Sequence, residues 1–262
     1  MSKAGSTAIQ AALLRQATAL KDVAILNPTT GRRRGAHWGL FREIRDAGEP
    51  ILFSRLADEG RDFRTTVISC EGFWFLPDDG IERLARATND WDVQVILYLR
   101  RPVGFLGSSY RQHIKTGKVS GAPAEFAAIV RPRLAYDQLV TRWSRVFPLT
   151  VRVYDVVRDR MEEDFLGLIG AGHLQVERTV VNGTPPDGAT KLMLVTNNCF
   201  SKRSRRRRIN RTILSMQSCF SWVPPIDDTP FLLTGRQAAS AWNGDTLLRY
   251  ISTGDLEKLA GP

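Results

Sequence analysis

The chain contains four short runs that are nearly continuous in apolar and β-branched residues, at positions 23–26, 65–69, 93–99 and 149–154. An uninterrupted apolar run of this length is typical of a strand that is covered on both faces, as the strands of parallel sheets are. We therefore predict four strands of one parallel β-sheet.

The segments between these runs have the periodicity of amphipathic helices. Apolar side chains recur three or four positions apart from Ile9 to Leu20, and the same spacing is found within residues 81–85 and 136–147. Strands that alternate with helices predict an α/β fold, a parallel β-sheet sandwiched by helices. Ligands of such folds bind beyond the carboxyl ends of the strands, so we expect the site to lie just after them.

A turn-rich segment at residues 182–189, Asn-Gly-Thr-Pro-Pro-Asp-Gly-Ala, marks the predicted end of this core. We therefore predict an α/β core over residues 1–181. The remainder, residues 182–262, is predicted to be a mostly helical C-terminal segment that packs on the core within a single domain overall.

The charge of the chain favours anionic ligands. Thirty-seven Lys and Arg against twenty-seven Asp and Glu leave a net charge of +10, which attracts nucleotide phosphates, sulfated glycans, nucleic acid or acidic lipid. Seven of the basic residues lie in one run at 202–211, and the net charge without that run is +3.

The apolar and cysteine content predicts a cytoplasmic protein. No apolar run has the eighteen or more residues of a membrane-spanning helix, so we expect no transmembrane segment. The three cysteines are scattered, and a disulfide framework or a zinc site would need paired spacings.

The opening of the sequence has the chemistry of an anion site. Lys3 and Gly5 directly precede a predicted helix whose first turn contains Ser6 and Thr7. Unpaired backbone N–H groups at a helix start, beside a lysine, suit a phosphate or a sulfate. The alternative is a plain capped N-terminus, with Ser6 or Thr7 as an ordinary cap.

A second anion site is predicted at the end of the third apolar run. Arg100 follows that run, and Ser108 lies eight positions later in the next helical segment. A guanidinium and a hydroxyl at this spacing can converge on one phosphate. The alternative is a solvated arginine pair, Arg100 and Arg101, at a helix start.

Taken together, these segments resemble the sulfotransferase family, particularly its bacterial members. Residues 3–7, Lys-Ala-Gly-Ser-Thr, are similar to its 5′-phosphosulfate loop, Pro-Lys-x-Gly-[Ser/Thr]-Thr, and residues 99–110 are similar to its 3′-phosphate motif. Residues 67–71 resemble its second strand-end motif, Ser-x-Glu or Ser-Ser-Glu, and residues 136–154 its later helix and strand. The closing helix of the family is matched by Asn243, Leu247 and Tyr250.

The resemblance implies a P-loop-like sulfotransferase fold and a reaction. A sulfuryl group would pass from 3′-phosphoadenosine-5′-phosphosulfate (PAPS) to a hydroxyl or amine by in-line displacement, without a metal. Lys3 would contact the 5′-phosphosulfate and neutralise charge on the bridging oxygen, while the backbone of residues 5–7 cradles the other oxygens. Arg100 and Ser108 would hold the 3′-phosphate.

Two residues are candidates for the base that takes the proton of the acceptor. Glu71 is the first choice, because the resemblance to glycan sulfotransferases implies a catalytic glutamate there; the alternative is an acid stabilised by a helix dipole. His37 is the second choice, since a histidine near neutral pKa does the same work. The alternative for His37 is a half-buried loop histidine beside Trp38.

The sequence departs from the family at its beginning. The phosphosulfate loop of the family follows a central β-strand, whereas Lys3 stands almost at the start of this chain and Ser2 replaces the loop's proline. Loss of that strand would expose strand edges and remove core. We expect Met1 to be an internal methionine, the alternative being a degenerate or truncated protein with poor stability.

Other functions remain open at the level of sequence. A P-loop kinase is disfavoured because the string Gly-x-x-x-x-Gly-Lys-[Ser/Thr] does not occur. The alternative to a sulfotransferase is a truncated non-catalytic relative, or a basic protein that binds polyanions or RNA through residues 202–211. The acceptor is predicted to be a carbohydrate or a small molecule, and we expect no specific nucleic-acid partner.

Overall fold

The computed structural model describes residues 4–175, 187–220, 224 and 226–261. Over these residues the fold is mixed α/β and mostly helical, which confirms the α/β part of the predicted class. Lys3 and the predicted boundary between residues 181 and 182 lie outside the described residues. None of the helices in these ranges is both long and apolar enough to span a membrane.

The four predicted runs each contain a strand, shorter than the run itself. The strands are β1 (Ile25–Leu26), β2 (Thr65–Thr66), β3 (Val95–Leu99) and β4 (Leu149–Val153). The run at 23–26 loses its first half because Ala24 has a positive φ of 57°, which a strand does not accommodate.

The segments with helical periodicity are helical in the structure. In chain order, the helices are α1 (Ser6–Arg15), α2 (Ala17–Asp22), α3 (Trp38–Arg45), α4 (Ile51–Gly60), α5 (Asp78–Ala87), α6 (Pro102–Lys115), α7 (Pro123–Val130), α8 (Tyr136–Ser144), α9 (Tyr154–Val157), α10 (Met161–Leu168), α11 (Asp187–Cys199), α12 (Arg203–Ser215), α13 (Thr229–Ser240), α14 (Gly244–Leu248) and α15 (Thr253–Ala260).

The strands pair in parallel, as predicted, but in two separate sheets. β1 pairs with β2, with Ile25 opposite Thr65, and β3 pairs with β4, with Val95 opposite Leu149. Among the described residues no strand joins the two pairs, so two short sheets stand where the sequence predicts one.

The chain folds into two compact units. The strand unit consists of the described parts of Met1–Leu99, Gln138–Val181 and Asp245–Asp255. The helical unit consists of the described parts of Arg100–Asp137, Asn182–Gly244 and Leu256–Pro262.

The core of the strand unit is built where α1 packs against α10. Leu13 of α1, Phe165 of α10, Ile25 of β1 and Val67 after β2 belong to one buried cluster. Both sheets and the start of α1 therefore share one hydrophobic core, which fixes the position of the residues that follow the strands.

The core of the helical unit is aromatic. The ring of Tyr110 on α6 lies 5.2 Å from that of Phe126 on α7 and 5.4 Å from that of Phe231 on α13. The hydroxyl of Tyr110 donates to the carbonyl of Gly121 at 2.8 Å, so the buried phenol is satisfied. These contacts hold α6, which carries Ser108, against α7 and α13.

Candidate functional site

The start of α1 in the strand unit has the backbone of an anion site. Gly5 precedes the helix with a φ of 81°, and a Cβ at this position would lie 2.8 Å from Cε of Met161. Only glycine satisfies both conditions. The carbonyl of Gly5 accepts from the N–H groups of Ala8 and Ile9, which closes the first turn.

The first N–H groups of this helix, including those of Ser6 and Thr7, have no partner within the helix by its geometry. No acidic side chain lies in the first turn of α1 to occupy or neutralise that end. The N-terminus of α1 therefore has the chemistry that suits an anion.

Glu71 lies close to the same helix. It is the first residue of a 3₁₀-helix, Glu71–Phe75, that follows β2. The side-chain nitrogen of Gln10 on α1 lies 3.4 Å from Oε2 of Glu71 and 3.3 Å from Oγ of Ser69, and it donates toward both. The start of α1 and the candidate base are thus tied together within the strand unit.

Gln10 is a site residue that the sequence analysis missed. It is buried on the face of α1 that also carries Ile9 and Leu13. The signal was present in the sequence, because a glutamine on an otherwise apolar helix face needs a buried polar partner.

Ser6, Ser69 and Glu71 line a groove of about 790 Å³ in the strand unit. Between Ser69 and Glu71, the thiol of Cys70 accepts from the N–H of Gly72. Burial raises the pKa of Cys70 to about 12, so the sulfur stays protonated at neutral pH. The polar groups of this groove that can exchange a proton or hold an anion therefore include the carboxylate of Glu71, the hydroxyls, the arginines Arg61 and Arg64, and the start of α1.

His37, the second candidate base, is fully buried. Its Nδ1 accepts from the backbone N–H of Ser69 at 3.1 Å, and its Nε2 lies 3.1 Å from the carbonyl of Pro28. In a neutral ring with Nδ1 as the acceptor, Nε2 carries the hydrogen and donates it to Pro28; the carbonyl of Ser69 also lies 3.2 Å from Nδ1. Both ring nitrogens are engaged with backbone, an arrangement that favours Glu71 as the base.

The predicted convergence of Arg100 and Ser108 is present in the helical unit. Nη1 of Arg100 donates to Oγ of Ser108 at 3.0 Å, and the carbonyl of Arg100 accepts from the hydroxyl of Tyr136 at 2.7 Å. A Cβ on Gly104 would lie 3.1 Å from Nε of Arg100, so this glycine gives the guanidinium room along α6. A cation and a hydroxyl are thereby placed side by side.

The basic run at 202–211 forms most of α12 in the helical unit. Arg206 turns back and donates to the carbonyl of Phe200, and the guanidinium of Arg205 lies 5.0 Å from the ring of Phe200. Arg207, Arg208 and Arg211 are exposed. The basic run therefore forms a helix that exposes most of its arginines to solvent and buries one of its sides.

The structure brings together residues 5–7 and Glu71 through Gln10 in one unit, and Arg100 with Ser108 in the other. No family model, no curated protein and no solved structure matches the chain. The assignment of function therefore rests on the residues themselves.

Proposed function

We propose that this chain is a sulfotransferase that moves a sulfuryl group from PAPS to a hydroxyl or amine of an acceptor, a carbohydrate or a small molecule. The observation that carries the proposal is the hydrogen bond between Arg100 and Ser108. A guanidinium fork with an adjacent hydroxyl suits the 3′-phosphate that distinguishes this donor from ATP. The parallel pairing of the strands is compatible with a P-loop-like fold, which is part of the same proposal.

The residues present fit an anionic donor. The start of α1, which bears no acid in its first turn, would hold the 5′-phosphosulfate through the backbone of residues 5–7, with Lys3 supplying a positive charge. Arg100 and Ser108 would hold the 3′-phosphate. PAPS supplies the sulfuryl group, and the protein contributes position and charge neutralisation.

Glu71 would take the proton of the acceptor. Its carboxylate lines the groove that Ser6 also lines, and a carboxylate near a reacting hydroxyl acts as a general base. Gln10 is then a positioning residue, because its amide donates to the carboxylate and holds it toward α1.

Calorimetric titration with adenosine 3′,5′-bisphosphate tests the proposal. We expect the chain to bind this nucleotide and the Arg100→Ala variant to bind at least about tenfold more weakly, because hydrogen bonds to charged groups contribute about 1.5–3 kcal/mol. Ser108→Ala should weaken binding less, since a neutral hydroxyl contributes about 0.5–1.5 kcal/mol.

The matched control is Arg131→Ala, which removes an exposed arginine from the same unit. It should leave the affinity within about twofold of the unchanged chain, because an exposed charge is screened by salt. Absence of binding by the folded chain, or equal losses in Arg100→Ala and Arg131→Ala, would reject the donor site.

The second candidate function is polyanion binding through α12. The observation in its favour is the exposure of Arg207, Arg208 and Arg211 on one helix. Strong dependence of RNA or heparin binding on salt, without affinity for adenosine 3′,5′-bisphosphate, would favour this function over the first.

A further inference from the structure

Three consecutive arginines, Arg32, Arg33 and Arg34, lie in the loop that follows β1 in the strand unit. Arg33 and Arg34 are exposed, and Arg32 is partly buried. No carboxylate among the described residues forms a salt bridge with any of the three. Three guanidinium groups without counter-charges on one short loop suit a ligand that brings its own negative charges.

The three arginines belong to a tight turn over residues 32–36, the arginine turn. The backbone N–H of Arg33 donates to the carbonyl of Ala36 at 2.7 Å, and the N–H of Ala36 donates back to Arg33 at 3.2 Å. Arg34 and Gly35, the two central residues, both have a positive φ, of 53° and 88°. A two-residue turn of this kind is of type I′, which favours asparagine, aspartate or glycine at its first central position. Arg34 therefore occupies a position where an arginine is conformationally unfavourable.

Hydrogen bonds on both sides of the arginine turn hold it in place. Before the turn, the carboxylate of Glu59 accepts from the backbone N–H groups of Thr29 and Thr30, at 2.6 and 2.9 Å. After the turn, the backbone N–H of His37 donates to the carbonyl of Ser69 at 2.9 Å. A loop that is already ordered loses little conformational freedom when a ligand binds, so this arrangement favours affinity.

The arginine turn lies against the helix that positions the candidate base. A Cβ on Gly35 would lie 3.4 Å from Cδ1 of Leu14 and 3.5 Å from Cβ of Gln10, both on α1. Gln10 also donates to the carboxylate of Glu71, at 3.4 Å. The turn and Glu71 therefore contact the same side chain. A ligand with a hydroxyl at Glu71 has the guanidinium groups of the turn close to the rest of its structure.

We propose that the arginine turn binds acidic groups of the acceptor, and that the acceptor is an acidic oligosaccharide. Such a saccharide carries hydroxyls together with carboxylate or sulfate groups on one chain. The guanidinium groups of Arg33 and Arg34 form charge-assisted hydrogen bonds to the acidic oxygens, while a hydroxyl of the saccharide reaches Glu71. The acceptor role rests on the proposed function, whereas the anion site rests on the turn alone.

Calorimetric titration of the full chain with a heparin-derived tetrasaccharide tests the proposal. We expect the double variant Arg33→Gln/Arg34→Gln to bind it at least about tenfold more weakly, because two charged partners of the ligand are lost. The matched control, Arg55→Gln/Arg86→Gln, removes the same charge from exposed positions of the same unit. It should stay within about twofold of the unchanged chain. Equal losses in the two double variants would overturn the proposal.

Thermal unfolding of Arg34→Asn separates binding from a structural role of the arginine. Asparagine is favoured at this turn position, so the variant should unfold on the order of 2 °C higher than the unchanged chain. It should also bind the tetrasaccharide at least about threefold more weakly, because a guanidinium is lost. A variant that is more stable and keeps its full affinity would overturn the proposal. A variant that loses stability would show that the arginine is structural, which also counts against it.

The class of ligand is tested with three further probes. Maltotetraose, tetraglutamate and inorganic sulfate should each bind at least about tenfold more weakly than the tetrasaccharide, because each lacks either the acidic groups or the sugar chain that carries several of them. Equal affinity for tetraglutamate would reject a saccharide as the ligand. Equal affinity for inorganic sulfate would reduce the turn to a simple ion site, and equal affinity for maltotetraose would show that the charges play no part.

Titration with adenosine 3′,5′-bisphosphate separates this inference from the proposed function. The double variant Arg33→Gln/Arg34→Gln should bind this nucleotide as tightly as the unchanged chain, and a loss would assign the turn to the donor and overturn the acceptor role. A chain that binds the tetrasaccharide through the turn but does not bind the nucleotide would keep the anion site and reject the sulfotransferase. Nucleotide binding with equal tetrasaccharide losses in the two double variants would keep the donor site and reject the role of the turn.

Discussion

His37 links two loops of the strand unit by hydrogen bonds from both of its ring nitrogens. Its Nδ1 accepts from Ser69 and its Nε2 donates to Pro28. The carbonyl of Ser69 also lies 3.2 Å from Nδ1, so the cost of a second proton on this ring comes from its burial and not from the lack of an acceptor. Burial lowers the pKa of His37 below its ordinary value of 6.5, which agrees with a buried neutral ring.

This burial predicts a loss of stability in mild acid. Below pH 6.5 the unfolded chain protonates at His37 while the folded chain does not, so the unfolded state binds more protons. Above that pH the neutral ring makes its full contribution to the free energy of unfolding. The free energy of unfolding should then fall as the pH drops toward the lowered pKa of the folded state, by at most about 1.4 kcal/mol per pH unit.

Urea unfolding at a series of pH values measures this loss, with His37→Gln as the matched variant. Glutamine cannot titrate, so the stability of the variant should fall less between pH 7.5 and 5.5 than that of the unchanged chain. A wild-type curve that falls no more steeply than the curve of His37→Gln would contradict the prediction.

Some contacts between the site residues could be predicted from the sequence, and others could not. Arg100 and Ser108 were predicted to converge because both belong to one strand end and the helix after it, where local geometry fixes the spacing. Gln10 and Glu71 are 61 positions apart, and their contact depends on where α1 packs. Tertiary packing of this kind is not encoded in spacing along the chain.

At the level of elements, the C-terminal end of α6 accepts hydrogen bonds from two buried asparagines that belong to other helices. Asn197 of α11 donates to the carbonyls of Ile114 and Val119, at 3.0 and 2.9 Å. Asn210 of α12 donates to the carbonyl of Ile114 at 2.7 Å and to Oδ1 of Asn197 at 3.2 Å. The last carbonyls of a helix have no partner within it, and these side chains supply one.

Removal of Asn210 should therefore destabilise the helical unit. We expect Asn210→Ala to lower the free energy of unfolding by about 1–3 kcal/mol, because it leaves the buried side-chain oxygen of Asn197 without its donor and removes one of the hydrogen bonds to the carbonyl of Ile114. Asn198→Ala is the control, since Asn198 is exposed on the same helix as Asn197, and it should change stability by about 0.5 kcal/mol or less. Chemical unfolding of both variants measures the difference, and equal losses would count against the role of Asn210.

At the level of the whole molecule, the sequence predicted the elements better than their pairing. The four apolar runs and the helical periods reappear as β1 to β4 and as α1, α2, α5 and α8. The single sheet is not found among the described residues, and the sequence could not show this, because strands pair through backbone groups that are the same in every residue. An apolar run shows that a strand is covered, and it does not show which edge of that strand has a partner.

The net charge of +10 is a property of the whole molecule that is concentrated on one element. Residues 202–211 hold seven basic side chains, and most of them are exposed on α12. A positively charged helix face binds polyanions because binding releases the counterions of the polyanion. Any basic surface of the same charge density would bind them in the same way. Binding through this face is therefore separable from binding at Arg100 and Ser108.

A charge-matched comparison tests whether α12 is a polyanion surface. Replacing Arg207, Arg208 and Arg211 with glutamine should reduce the slope of log affinity for single-stranded RNA against log salt by about 2, because each phosphate contact contributes about 0.7. Affinity for adenosine 3′,5′-bisphosphate should not change, since Arg100 and Ser108 are intact. The control makes the same substitution at three exposed arginines outside α12, namely Arg55, Arg86 and Arg131. If the control reduces the salt slope as much as the α12 variant does, the attraction belongs to the net charge of the molecule and α12 is not a specific surface for polyanions.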